Sequence, residues 1–171
     1  MVTSIAVGDA DRDAAVGRLV DEAGRGGFAI AFDLLGDRAQ AEDAVQDALE
    51  RTLSGYHRLR DPQALHAWFY RVLTNGCLGV LRRRRVANAF ARLLGARGEP
   101  AAPPSGDPDH VRLLGALDAL PAMQKAAVVL RYGHDLGVDD IARLLDVGGA
   151  TVKTHLKRAL VRLRDQMGAP R

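Results

Sequence analysis

The sequence predicts an all-α chain of two small helical domains, a helical bundle and a helix-turn-helix, joined by a flexible Pro/Gly-rich linker. Three observations carry this. Hydrophobic residues make up 47% of the 171 residues but aromatics only 5%, so the core must be built from Leu, Val and Ala, which lean towards helix. Apolar positions recur at intervals of three and four along most of the chain. The stretch Gly95–Pro108, GARGEPAAPPSGDP, holds Pro100, Pro103, Pro104 and Pro108 with three glycines. Proline removes amide donors and glycine costs backbone entropy, so no regular element is expected there. The expected division is a first domain over 1–94, a linker over 95–110 and a second domain over 111–171.

The N-terminal domain shows three strong helical patterns. Phe28, Ala31, Phe32 and Leu35 share one face, and Gly36-Asp37 stops that run. Ala41, Ala44, Val45, Ala48, Leu49, Thr52, Leu53 and Tyr56 form the next stripe, opposite Glu42, Asp43, Gln46, Asp47 and Glu50. After a turn at Arg60-Asp61-Pro62, a third stripe runs through Leu65, Trp68, Phe69, Val72, Leu73, Cys77, Val80 and Leu81, ending in Arg82–Arg85. A weaker helix is expected over Asp13–Glu22. One apolar face per helix must be buried against the others, which makes a bundle.

The C-terminal domain reads as helices over Val111–Ala119, Ala122–Tyr132, Val138–Leu145 and Ala150–Gln166. Pro121 suits the first turn of the second of these, where an amide would be unpaired anyway. The last two helices are separated only by Asp146-Val147-Gly148-Gly149, the spacing of a helix-turn-helix. In the final helix Val152, Leu156, Ala159/Leu160 and Leu163 line one face, and Lys153, Lys157, Arg158, Arg162 and Arg164 occupy the rest.

Composition narrows the function. One cysteine, Cys77, leaves no internal disulfide and no Cys-based zinc site, and it falls on an apolar stripe as a core residue. No apolar run of membrane-spanning length exists, so no membrane insertion is expected. The N-terminus MVTSIAVGDADRD lacks the basic and apolar segments of a signal peptide, so a cytoplasmic location is expected. Asp9, Asp11 and Asp13 begin like a calcium loop, but Ala14 and Val20 stand where Gly and Glu are required. The five histidines form no metal-ligand pair at helical spacing, and no phosphate loop or nucleophile elbow is present. No enzyme activity, cofactor or metal is therefore expected.

Charge is unevenly spread. The net +3 hides 4 Lys/Arg against 11 Asp/Glu in residues 1–50, 10 against 2 in 51–100, and 10 against 8 in 101–171. An acidic first segment and a basic middle suggest surfaces for different partners. Arg82–Arg85 at a helix end would complement the helix dipole, but four arginines exceed that need and suit phosphate contact. Arg71 and Asn75 lie four apart on the same helix. Thr151, Lys153, Thr154, Lys157 and Arg158 occupy the first turns of the final helix, the part that enters a major groove when such a motif binds DNA.

These residues carry a family resemblance. LLGDRAQAEDAVQDALERTL at Leu34–Leu53, HAWFYRVLTN followed by LRRRR, and LPAMQKAAVVLRY with IARLLDV and TVKTHLKRALVRLR resemble, in order, three motifs of extracytoplasmic-function bacterial RNA polymerase sigma factors. The resemblance covers roughly Phe28–Arg164. It implies that Glu42, Asp43, Gln46, Asp47 and Glu50 bind core polymerase, on the β′ clamp helices, with the β subunit also in contact. It implies that Leu59–Leu65, with Leu59, Arg60, Asp61 and Gln63, captures a flipped non-template base of the minus-ten element. Extruding a base costs a few kcal/mol. Trp68, Arg71, Asn75, Arg82 and Arg83 would then support recognition and strand opening, and Thr151, Lys153, Thr154, Lys157 and Arg158 would read the minus-thirty-five element. Promoter DNA, double- and single-stranded, and an anti-sigma factor are the further partners implied.

Four departures from the pattern stand out. Gly79 replaces a residue often acidic or amide, and Gly76 shares its helix, where each glycine costs about 1 kcal/mol against Ala. Asp146 stands at the turn position usually held by Gly, and Asp tolerates the left-handed conformation. Gly137 replaces the usual helix-start Ser, and Gly148-Gly149 a polar residue before the last helix. The alternative function is a stand-alone helix-turn-helix regulator with a ligand- or partner-sensing N-terminal module.

Overall fold

The computed structural model describes residues 9–56, 61, 64–94 and 107–168. Its elements are α1 (Asp9–Glu22), α2 (Phe28–Leu35), α3 (Arg38–Gly55), α4 (Ala64–Leu93), α5 (Pro108–Ala119), α6 (Ala122–Val128), α7 (Val138–Leu145) and α8 (Gly149–Met167). No strand occurs among the described residues, as the sequence predicts for an all-α chain. By contact the chain forms two units, Met1–Gly76 and Cys77–Arg171, so the division falls inside α4.

In the first unit, α1 begins four residues earlier than expected and does not break before α2. A wide helical turn, Ala23–Gly27, carries the chain straight through. Glycine permits that turn to lie against aromatic rings. A Cβ on Gly27 would sit 3.0 Å from the Phe69 ring, and one on Gly26 2.5 Å from the Tyr70 hydroxyl. α2 buries Ile30, Ala31, Leu34 and Leu35. Phe32, expected on that face, lies outside the buried arc and is 42% exposed, its ring stacked 5.9 Å from Phe28.

Gly36 ends α2 in the left-handed conformation (φ 65°), its amide donating to the Phe32 carbonyl at 2.7 Å. That is the glycine stop the sequence signals. Asp37 then caps α3, its Oδ1 accepting from the Gln40 amide at 2.9 Å. α3 buries Ala41, Val45, Ala48 and Thr52. α4 contributes Leu65, Phe69 and Leu73, all essentially fully buried.

The tetra-arginine run does not end α4. The helix continues through Arg82–Arg85 to Leu93, because Arg, Val and Ala all accept helix and the first Gly or Pro after it is Gly95. The arginines are therefore mid-helix and do not compensate a terminal dipole. Gly76 and Gly79 also lie within this unbroken helix.

In the second unit Cys77 and Leu78 are buried. α5 starts at Pro108, three residues before the expected Val111. Pro occupies the first turn, and the Asp107 carboxylate accepts from the Asp109 amide at 3.2 Å. Pro121 stands one residue ahead of α6, as its cap. The expected helix to Tyr132 is instead α6 followed by a wide turn, Val129–Gly133. α7 has its expected bounds. Asp146 takes the left-handed conformation (φ 56°, ψ 47°), its amide donating to the Ala142 carbonyl, so the turn closes with Asp in place of the usual Gly.

α5, α6 and α7 all pack on α8. Ala116, Leu120, Val128, Ala159 and Leu163 form the shared core, with Leu117, Leu156 and Met167 at its edge. Arg112 Nη2 donates to the Met167 carbonyl at 2.9 Å, tying α5 to the end of α8. Leu160, paired with Ala159 in the expected stripe, is 38% exposed; Ala159 is the buried member.

Candidate nucleic-acid and polymerase interfaces

α8 is held by its buried arc, Val152, Ala159 and Leu163. Residues on the opposite arc must then face outward. Thr151, Lys153, Thr154, Lys157 and Arg158 are all exposed, so the structure brings the five predicted residues together on one helix end. Gly148 precedes the helix in an extended conformation (φ −72°, ψ 150°) with no side-chain cap. Thr154 Oγ1 donates to the Ala150 carbonyl at 2.9 Å. A hollow on this face is lined by Thr154, Lys157, Arg158, Val161 and Arg162. Val161, 47% exposed amid the cations, is a member that sequence reasoning passed over. Its spacing from Thr154 and Lys157, seven and four residues, was the available signal.

On α4, Arg71 and Asn75 are exposed on successive turns, and Arg82 and Arg83 extend the polar surface two turns further. Trp68 is only half-exposed. Its indole is seated against Gly55 at the end of α3, where a Cβ would lie 2.9 Å from Cζ2 and closer still to Cη2. The ring is thus fixed by packing between α3 and α4. Asp61 is exposed, and its carbonyl accepts from the Ala64 amide at 3.1 Å as α4 begins. Leu59, Arg60 and Gln63, expected in the base-capturing loop, lie outside the described residues.

On α3, Glu42, Asp43, Gln46, Asp47 and Glu50 are all exposed. Arg38 Nε meets Glu42 Oε1 at 2.9 Å, Arg51 meets Asp47 at 3.8 Å, and Gln46 Nε2 donates to Glu50 Oε1 at 3.1 Å. These exposed pairs are worth little to stability; the acidic side chains share one ridge because α3 places them on the arc opposite its buried residues. Beside it runs a hollow lined by Phe28, Arg38, Glu42, Val45, Gln46 and Leu49. The Arg38 guanidinium lies 5.8 Å from the centre of the Phe28 ring, a cation–π distance. Phe28 and Arg38 were not foreseen as part of this surface, because α2 and α3 are joined across the Gly36 turn and no single-helix pattern links them.

Burial pushes the Cys77 thiol up to about 11, which leaves it an unreactive core residue. Among the described residues no group of His, Cys, Asp or Glu could hold a metal ion, and no helix is long and apolar enough to cross a membrane.

Residues 19–86 match the model of sigma-70 region 2, and residues 110–163 match that of sigma-70 region 4. The chain is 31% identical over 146 residues to the RNA polymerase sigma factor SigV of Bacillus subtilis, spanning 82% of this chain and 83% of that one. It is 32% identical over 166 residues to the ECF RNA polymerase sigma factor SigL of Mycobacterium tuberculosis, spanning 92% of each. Among solved structures it resembles the sigma factor RpoE of Bartonella quintana, solved with the anti-sigma factor NepR, with a TM-score of 0.58 and 23% identity over 95% of this chain and 98% of that one. That likeness concerns the fold. The two matching regions together span most of the chain, region 2 ahead of region 4, and the chain belongs to the extracytoplasmic-function sigma factors of RNA polymerase.

Proposed function

We propose that this sigma factor divides its work among three helices. The chain binds core RNA polymerase and directs promoter-specific initiation. The acidic ridge of α3, Glu42 to Glu50 with Asp43 and Asp47 at its centre, is the surface that docks on the β′ clamp helices. Trp68, Arg71 and Asn75 on α4, with the preceding loop through Asp61, engage the opened minus-ten strand, and Arg82 and Arg83 hold its phosphates. Thr151, Lys153, Thr154, Lys157 and Arg158 on α8 read the minus-thirty-five element in the major groove. Residues 1–94 and 107–171 are assigned to these two tasks, the second beginning with the Asp107 cap of α5, with 95–106 between them.

The observation that carries this reading is the presence of both regions, in family order, in one chain whose α8 cations face outward together. A helix-turn-helix regulator acting alone needs only the second. The protein itself catalyses no reaction in this scheme; the polymerase does. We place it in the cytoplasm, where core polymerase and promoters are found. The B. quintana neighbour was solved with an anti-sigma factor, which supports an anti-sigma partner here as well.

Run-off transcription with purified core polymerase and promoters mapped after forced expression tests the assignment. Promoter-dependent transcripts that require the chain are expected. Failure to bind core polymerase at micromolar protein overturns it in favour of a stand-alone regulator.

A further inference from the structure

Between the cations of α8 lies a small apolar strip, and its chemistry is more specific than a basic helix requires. Ala150, Thr154 and Val161 are exposed at i, i+4 and i+11, on the arc opposite the buried Val152, Ala159 and Leu163. Lys157 and Arg158 stand between Thr154 and Val161. The Thr154 hydroxyl proton is already committed, because Oγ1 donates to the Ala150 carbonyl at 2.9 Å. A hydroxyl so engaged has no proton left for the acceptor atoms N7 and O6 of guanine. With Oγ1 turned back to the Ala150 carbonyl, the Cγ2 methyl is the group left on exposed Thr154 for an apolar partner, and Ala150, also exposed, lies one helical turn away. In the major groove only thymine shows an apolar group, its C5-methyl, and short apolar side chains are its partners. Positions in the first two turns of such a helix are those that reach base edges.

We propose that Thr154, backed by Ala150, is a specificity-determining residue that reads a thymine methyl in the minus-thirty-five element. This rests on the reading of α8 as the minus-thirty-five helix. Lys153, Lys157 and Arg158 then serve guanine acceptors and phosphates on either side, and the internal hydrogen bond fixes which face of Thr154 the DNA meets.

The test uses the full chain with core polymerase. A duplex library randomised across the upstream element is selected for binding, and the preferred duplex is resynthesised with each thymine in turn replaced by deoxyuridine, which removes only the methyl. At one position the deoxyuridine duplex should bind roughly four-fold more weakly, the effect of one methyl group left unburied. Thr154→Ser keeps the hydroxyl and loses the methyl, so it should bind both duplexes equally. Thr154→Val keeps a methyl and should retain the preference.

Equal binding of thymine and deoxyuridine duplexes by the wild-type chain at every position, with sequence selection otherwise intact, overturns the methyl reading and leaves the minus-thirty-five assignment standing. A preference that survives Thr154→Ser assigns the methyl contact elsewhere and overturns the role of Thr154. Loss of selection at an adenine or cytosine in Thr154→Val, with thymine and deoxyuridine equivalent, shows an acceptor role for Oγ1 and overturns it too. If the chain with core polymerase selects no upstream sequence at all, both the proposal and the minus-thirty-five assignment fall.

Discussion

Gly55→Ala should destabilise the first unit through one contact. Gly55 ends α3 and carries no left-handed backbone, so alanine meets no conformational penalty there. Its Cβ would, however, lie 2.9 Å from Trp68 Cζ2 and 3.2 Å from Cζ3, and nearer again to Cη2. These are atoms of a rigid ring, not the tip of a flexible chain, so the indole must move. Inserting a methyl into packed surroundings costs about 1–3 kcal/mol. Removing a helical glycine returns about 0.5–1 kcal/mol. The expected net loss is centred on about 1 kcal/mol and reaches at most about 2.5 kcal/mol, a typical fall of roughly 0.5 M in the urea midpoint. Trp68 is the single tryptophan, so its emission reports both unfolding and displacement of the ring. Gly76→Ala is the matched control: its Cβ would meet nothing within 4 Å, and it should stabilise by about 0.5–1 kcal/mol. A Gly55→Ala protein with the wild-type midpoint and unshifted Trp68 emission would refute the packing argument.

Paired reversal of Asp43→Lys and Asp47→Lys should weaken core polymerase binding by at least roughly ten-fold; a pull-down and a DNA titration of the same variant should show DNA affinity of the free chain unchanged or slightly raised. Arg158→Ala should cost about 1–3 kcal/mol of upstream-element affinity if its contact is to a base, measured by competition between matched and mismatched duplexes. Arg83→Ala should weaken binding evenly across promoters and lower the salt slope by about 0.7, the single-strand value for one phosphate contact. Cys77 should resist thiol reagents in the native state. Its pKa is raised from 9.0 to about 11 by burial, so the folded chain keeps the proton longer than the unfolded one. The contribution to stability is complete below pH about 9 and is lost as pH rises towards about 11, which urea midpoints across that window will follow.

Local signals were enough for most of the fold. Gly36-Asp37 is a glycine stop followed by a side-chain cap, and both bonds form. Asp146 was legible as a left-handed turn residue through the family resemblance, which puts it at a position usually held by Gly, and Asp tolerates that conformation. The misjudged features depend on what is missing locally or on distant partners. The tetra-arginine run looks like a helix end by charge, yet nothing in Arg82–Leu93 breaks a helix, and α4 runs on. The turn at Ala23–Gly27 contains three glycines, a breaker signal, but tertiary contact with Tyr70 and Phe69 uses the missing side chains of Gly26 and Gly27 instead. On the candidate surfaces, charged residues were legible by spacing within one helix. Phe28 beside Arg38, and Trp68 against Gly55, join two helices and have no one-dimensional signature. Val161 was overlooked because an apolar residue in a basic helix is ordinarily assigned to the core.

The sealed Cys77 has a practical consequence. A protein with one thiol, buried and held protonated, behaves towards maleimide dyes as though it had none. A cysteine introduced at Ser54 or Gln166, both exposed and outside the proposed binding surfaces, would take a fluorophore alone without first removing the native residue. Distance changes between a labelled chain and labelled promoter DNA could then be followed during open-complex formation on an otherwise unaltered sequence.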